Sequence, residues 1–189
     1  MGKAAALRRD DGIGGEKTMA KSKRTKPAAP IGAITFATFR IAGDKLAPGE
    51  ITELLSLAPT TAYAKGETYD GGRRGVLPRA ITGVWHLSTQ SAVASDRLLD
   101  HLLYLTRALV AGPQPEAPWP DRWPAHLAKL RQLIEEKSLY AVLTCVWQGE
   151  PGAEQPAVPP AITQFFKAIP ADVATEFAAD EEMEKRAAS

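Results

Sequence analysis

The chain has 189 residues, 44% hydrophobic and 24% charged, with a formal net charge of +1. This is ordinary globular usage and enough chain for one domain with a real core. A single cysteine, Cys145, excludes an internal disulfide and a multi-cysteine metal cluster, and no run of about 18 apolar residues offers a membrane-spanning helix.

The near-neutral total conceals an uneven distribution. Residues 1–30 carry eight Lys or Arg against three Asp or Glu, and the tail from Asp180 carries four acids and two bases. The body from Ile31 to Ala179 holds 13 bases and 15 acids, a poor surface for reading phosphates, which calls for a clustered basic face. Residues 1–30 are rich in Gly, Lys, Ala and Pro and lack periodicity, so a disordered basic arm is expected there. Met19 opens a second basic segment with the form of an alternative translation start. Arg8, Arg9, Asp10 and Asp11 interrupt the N-terminus before any secretory apolar run develops, so the expected location is the cytoplasm.

From Ile34 to Ile41, β-branched and aromatic residues predict a strand, which Gly43 and Asp44 break. Pro48 and Glu50 suit a first helical turn, and Ile51, Leu54 and Leu55 give that helix one buried stripe before Pro59 ends it. Thr60 to Ala80, rich in Gly, Lys and Arg, reads as a turn and a mobile loop with a short edge strand near Tyr63. A strand follows from Ile81 to Ser88. Ser95 is the expected N-cap of a helix running to about Val110, and the prolines between Pro113 and Pro124 separate it from a second helix, Pro124 to Lys137. The strand from Leu139 to Gln148 is the most apolar and is expected at the sheet centre. A Pro/Gly loop, a short helix carrying Ile162, Phe165, Phe166 and Ile169, and a strand from Asp172 to Ala178 complete the domain, and a frayed acidic tail follows from 180 to 189.

This order predicts an α+β domain over 31–179. Its expected form is a mostly antiparallel sheet of four to five strands with helices on one face, a ferredoxin-like sandwich with a helical insertion. Alternation directs Phe39, Ile41, Trp85, Leu87, Leu143, Cys145, Val173 and Phe177 toward the helices. It leaves Thr38, Arg40, His86, Ser88, Thr144 and Glu176 on the opposite, part-polar face.

The segments Ile51-Thr52-Glu53-Leu54-Leu55-Ser56-Leu57-Ala58-Pro59-Thr60, Lys65-Gly66 and Gly83-Val84-Trp85-His86-Leu87-Ser88 form a set that resembles the DUF4279 family of bacterial proteins. The later strand Leu143-Thr144-Cys145-Val146-Trp147 and the helix opening Pro160-Ala161-Ile162 fit the same layout, so the likeness covers roughly Ile34 to Ala178. The family has no assigned function. The resemblance therefore implies a domain layout and no catalytic residues, and the basic arm and the Pro/Trp-rich linker from Pro113 to Pro124 lie outside it.

Chemistry is sparse. His86, His101 and His126 lack partners at ligand spacing, and neither a metal nor a cofactor is expected. His101, beside Asp100 in a helix, is expected to face solvent. Cys145, in the most apolar strand, is expected to be an inert core thiol. Gly71-Gly72-Arg73-Arg74-Gly75 has the composition of an anion cradle, but no helix starts after it, so it matches neither a Walker loop nor a dinucleotide fingerprint. Trp119 and Trp123 are expected either to form an exposed knuckle or to lid the helical pair. The binding residues expected are Arg40, Lys65, Arg73, Arg74 and His86. A cation at Arg40 on the neighbouring strand would keep His86 neutral near pH 7. The leading expectation is a non-catalytic binding or interaction module, of immunity or regulatory type, meeting a protein partner or a small anionic ligand. One alternative is an enzyme acting on an anionic small molecule, with Arg40, Lys65 and His86 in one cleft. Another is weak nucleic-acid binding through the N-terminal arm.

Overall fold

The computed structural model describes residues 34–69, 78–111, 123–149 and 153–179, all within the compact unit Gly32–Ser189. The N-terminal arm, the Gly71–Gly75 loop with Arg73 and Arg74, Trp119 and the tail from Asp180 lie outside the described residues. The elements in chain order are β1 (Ile34–Gly43), α1 (Pro48–Leu55), β2 (Thr61–Tyr63), β3 (Gly83–Ser88), α2 (Leu98–Ala111), α3 (Ala125–Lys137), β4 (Tyr140–Gly149), α4 (Pro160–Ala168) and β5 (Ala171–Ala179).

The five strands form one mixed sheet in the order β2-β3-β1-β4-β5. The β1/β3, β1/β4 and β2/β3 pairs are antiparallel, whereas β4 and β5 run parallel. The fold is thus α+β, but the two strand–helix–strand arms do not match. α4 carries the chain across to a parallel strand, the usual use of a crossover helix. Between β1 and β3 the chain adds the reversal through β2, so β3 returns antiparallel. The topology therefore departs from the expected ferredoxin-like pairing. β4 is interior rather than central, because β1 holds the middle of the sheet.

Alternation decides which side is roofed. Ala37, Phe39 and Ile41 of β1, Trp85 and Leu87 of β3, and Ala141, Leu143 and Cys145 of β4 join one core cluster. Leu98, Leu102, Leu105 and Leu109 of α2, Leu127, Leu130 and Ile134 of α3, and Ile162 and Phe166 of α4 belong to the same cluster. Burying such side chains, at about 25 cal/mol per Å² of apolar surface, is what holds the helices on this face. An aromatic chain crosses the core. Trp85 meets Phe39 edge-on at 6.4 Å, Phe39 meets Phe166 at 5.4 Å, and Phe165 meets Trp123 at 5.4 Å. Trp123 packs on α4 in this way while still 43% exposed.

The segments that carry the family likeness lock α1 to the sheet. Pro48 opens α1 and Ile51 and Leu55 are buried, while Thr52 accepts a 3.1 Å hydrogen bond from Trp85 Nε1. Glu50 pairs with Lys137 at the end of α3. Gly83 is demanded by close approach, since a Cβ there would lie 3.0 Å from the Gly43 carbonyl oxygen. Gly66 sits at φ +86°, a region open chiefly to glycine, and its N–H donates to the Ala80 carbonyl at 2.8 Å. Thr68 bridges Arg79, and Tyr69 stacks on Tyr63 at 4.7 Å, so both described flanks of the expected mobile loop are paired.

α1 and α3 end on left-handed serines, Ser56 at φ +52° and Ser138 at φ +53°. Such positions favour glycine. Ser138→Gly is expected to raise stability by about 0.5–1 kcal/mol, the left-handed penalty removed exceeding the added chain entropy. A chemical denaturation midpoint unchanged or lowered would refute it.

One expectation is corrected. His101 is 1% exposed rather than solvent-facing. The first turn of α2 points it at the residue just past β3, where its Nδ1 lies 2.7 Å from Thr89 Oγ1 and its Nε2 donates to the Ser95 carbonyl at 2.9 Å. Thr89, itself fully buried, accepts from the Ala37 N–H at 2.9 Å. Ser95 is not the N-cap expected, since it lies three residues ahead of Leu98 where α2 starts; it braces the approach to the helix by accepting from the Arg97 N–H and donating to Asp100. A buried histidine is tolerated because the cluster gives each ring nitrogen a partner.

Candidate functional site

The face opposite the helices is built from the other parity of each strand. Its central cross-strand row runs Thr61 (β2), His86 (β3), Arg40 (β1), Val142 (β4) and Asp172 (β5). The strands thus bring Arg40 and His86 directly opposite one another, where side chains interact most strongly. Arg40 is exposed and forms no ion pair among the described residues, while His86 is half-buried. Burial is the main cause of the lowered His86 pKa, and the Arg40 charge lowers it further. The ring is therefore neutral at pH 7, with one N–H to donate and one nitrogen to accept.

This shift has a consequence for pH. With the folded pKa below the ordinary 6.5, the unfolded chain binds more protons at low pH. The stability tied to a neutral His86 is complete above 6.5 and is lost as pH falls from there through the folded value. An NMR titration of the His86 ring should give a midpoint below 6.5. Arg40→Gln should move it upward without fully restoring 6.5, since burial is the larger cause. A midpoint at or above 6.5 in the wild type would contradict this account.

The next row toward the Gly43 end contains Tyr63, Val84, Ala42 and Tyr140. Ala42 and Val84 are buried, at 5% and 8% exposure, and Tyr140 is 51% exposed. Small residues in mid-row between tyrosines give an apolar floor with aromatic flanks beside the Arg40–His86 pair. The sequence reading missed Tyr63, Tyr140 and Asp172. Parity places Tyr140 on the same face as Thr144, but only the cross-strand register puts Asp172 in the Arg40 row and the two tyrosines in the row next to it.

Lys65 is placed elsewhere. It pairs with Asp44, where the Lys65 hydrogen bond is the main cause holding the carboxyl below its usual range. Asp44 lies in the turn just past the end of β1, so the Lys65 pair sits at that end of the sheet rather than in the Arg40–His86 row. Cys145 is fully buried and desolvation pushes its thiol up to about 11, which leaves it an unreactive core group. Among the described residues no three His, Cys, Asp or Glu side chains gather as a metal-binding group. No helix among them is long and apolar enough to cross a membrane.

A sequence model for DUF4279, described as a domain of unknown function, matches residues 33–177. Comparison with curated proteins returns no match, and comparison with solved structures returns none.

Proposed function

Because this chain belongs to the DUF4279 family, which has no assigned activity, we propose its function from its own residues: it is a non-catalytic interaction module of the bacterial cytoplasm. Its role is regulatory or of immunity type, and its contact surface is the open sheet face. The observation that carries this reading is a guanidinium with no ion pair among the described residues, directly opposite a neutral imidazole and in the middle of the face away from the described helices. A guanidinium presents a planar fork of donors suited to a carboxylate, and neutral His86 can add one more donor without a competing charge. The tyrosine-flanked floor of Ala42 and Val84 beside them accepts an apolar neighbour of that carboxylate. The fitting partner is thus a protein presenting an acidic side chain next to an apolar one. The buried thiol suits binding rather than turnover.

The test is quantitative capture from lysate at several salt concentrations, comparing the wild type with Arg40→Glu and with Arg131→Glu, an exposed change on α3. A stoichiometric partner held by the wild type and by Arg131→Glu, and lost with Arg40→Glu, is the expected outcome. Equal retention by Arg40→Glu, or no stoichiometric partner for the wild type at any salt, would overturn the reading.

A further inference from the structure

The sheet has two edges, and they are handled differently. β2 is three residues long, and the chain around it is tied inward: Thr60 donates to the His86 carbonyl at 2.8 Å and its hydroxyl accepts from the Ser88 N–H at 2.8 Å. β5 is nine residues long, Ala171–Ala179, and carries no proline, glycine, lysine or arginine. Among the described residues nothing pairs with its outer side. Natural edge strands of this length are usually blunted by a bulge, a proline or a lysine, because the free N–H and C=O groups template a further strand. α4 does not roof the rim either, since Thr175 shares the helix-side parity yet is exposed.

The strand's own pattern selects the occupant. We propose that β5 pairs antiparallel with β5 of a second copy of this chain, about a two-fold axis at Thr175, making one continuous sheet. In that register Val173 faces Phe177 of the copy on the helix side, and Thr175 faces its own equivalent. Both are favourable cross-strand pairings, and Val173 and Phe177 are only half-buried in the single chain. On the open side each acid falls opposite an alanine: Asp172 opposite Ala178, and Glu176 opposite Ala174. No like charges meet directly. An isologous contact of this kind closes as a dimer and leaves no free β5 edge to propagate. It lies two strands away from Arg40, so the dimer and the partner-binding reading stand or fall separately.

Ala174 is exposed, which makes it a test that does not threaten folding. Sedimentation equilibrium of the full chain, from roughly 5 to 500 µM as suits a small interface, should show a monomer–dimer equilibrium. Ala174→Glu places a second acid opposite Glu176 twice over and should weaken the dimer by about two- to thirtyfold. Ala174→Lys places an opposite charge there and should tighten it by a similar factor. A wild type that stays monomeric throughout, or a dimer indifferent to both substitutions, would overturn the proposal.

Discussion

Trp85→Ala is expected to cost about 3–5 kcal/mol, the range for removing a buried aromatic. Trp85 is fully buried, meets Phe39 edge-on, and is the only described side chain donating to Thr52. Its loss therefore opens a cavity and releases α1 from β3 at the same time. Against a typical total of 5–15 kcal/mol, the loss is a large share of stability, and Tm should fall by about 6–20 °C. Trp85→Phe keeps a ring against Phe39 while leaving the Thr52 hydroxyl without its donor, and should cost clearly less. Calorimetry of both variants checks this. A Trp85→Ala protein melting within about 2 °C of the wild type would show that the helices do not rest on this side of the sheet.

The second large effect is expected at Thr89→Val. The substitution is nearly isosteric, so packing changes little. It removes the group that accepts from the Ala37 N–H and faces His101 Nδ1, both in a buried setting. A buried polar group stripped of its partner costs about 1–3 kcal/mol, and two are affected, so a loss of roughly 2–4 kcal/mol is expected. Thr89→Ser, which keeps the hydroxyl, should cost about 1 kcal/mol. Denaturant midpoints separate the two variants, and amide exchange at Ala37 should accelerate in Thr89→Val alone. Equal costs for the two substitutions would mean that the hydroxyl contributes nothing and that the methyl accounts for the loss.

The elements were legible because each is announced by local chemistry. Pro48 and Glu50 at a helix start, the leucine stripe of α2 and the strand alternation of β1 all act over a few residues. Alternation also placed Arg40 and His86 on one face. What could not be read was the set of long-range choices. Whether β5 lies parallel or antiparallel to β4, and whether β1 or β4 holds the centre, depends on connections that local propensity does not encode. His101 shows the same limit. A histidine beside an aspartate looks solvated, and only the path of the connection from β3 to α2 brings Thr89 and the Ser95 carbonyl to its two nitrogens. Lys65 was grouped with Arg40 by charge, yet Asp44 holds it at the strand ends. Of the five expected binding residues, Arg40 and His86 form the pair, while Arg73 and Arg74 lie outside the described residues.

The motif residues have an instructive division of labour. Ile51, Thr52, Leu55, Gly66, Gly83, Trp85 and Leu87 are explained by core packing, a tight turn or close backbone approach. Of the residues in those segments, His86 alone stands in the Arg40 row on the open face. The likeness quoted from this sequence is thus chiefly a likeness of scaffold, and Arg40 lies outside the quoted segments.

The central claim is that helices cover one side of the sheet and leave the Arg40 side free. Thiol labelling tests it in one native sample. With Arg40→Cys, a neutral aromatic disulfide reagent should react with one thiol per chain at about the rate of a free cysteine, while Cys145 stays silent until denaturant is added. Rapid native labelling of Cys145 in the wild type, or protection of the thiol introduced at position 40, would contradict the account.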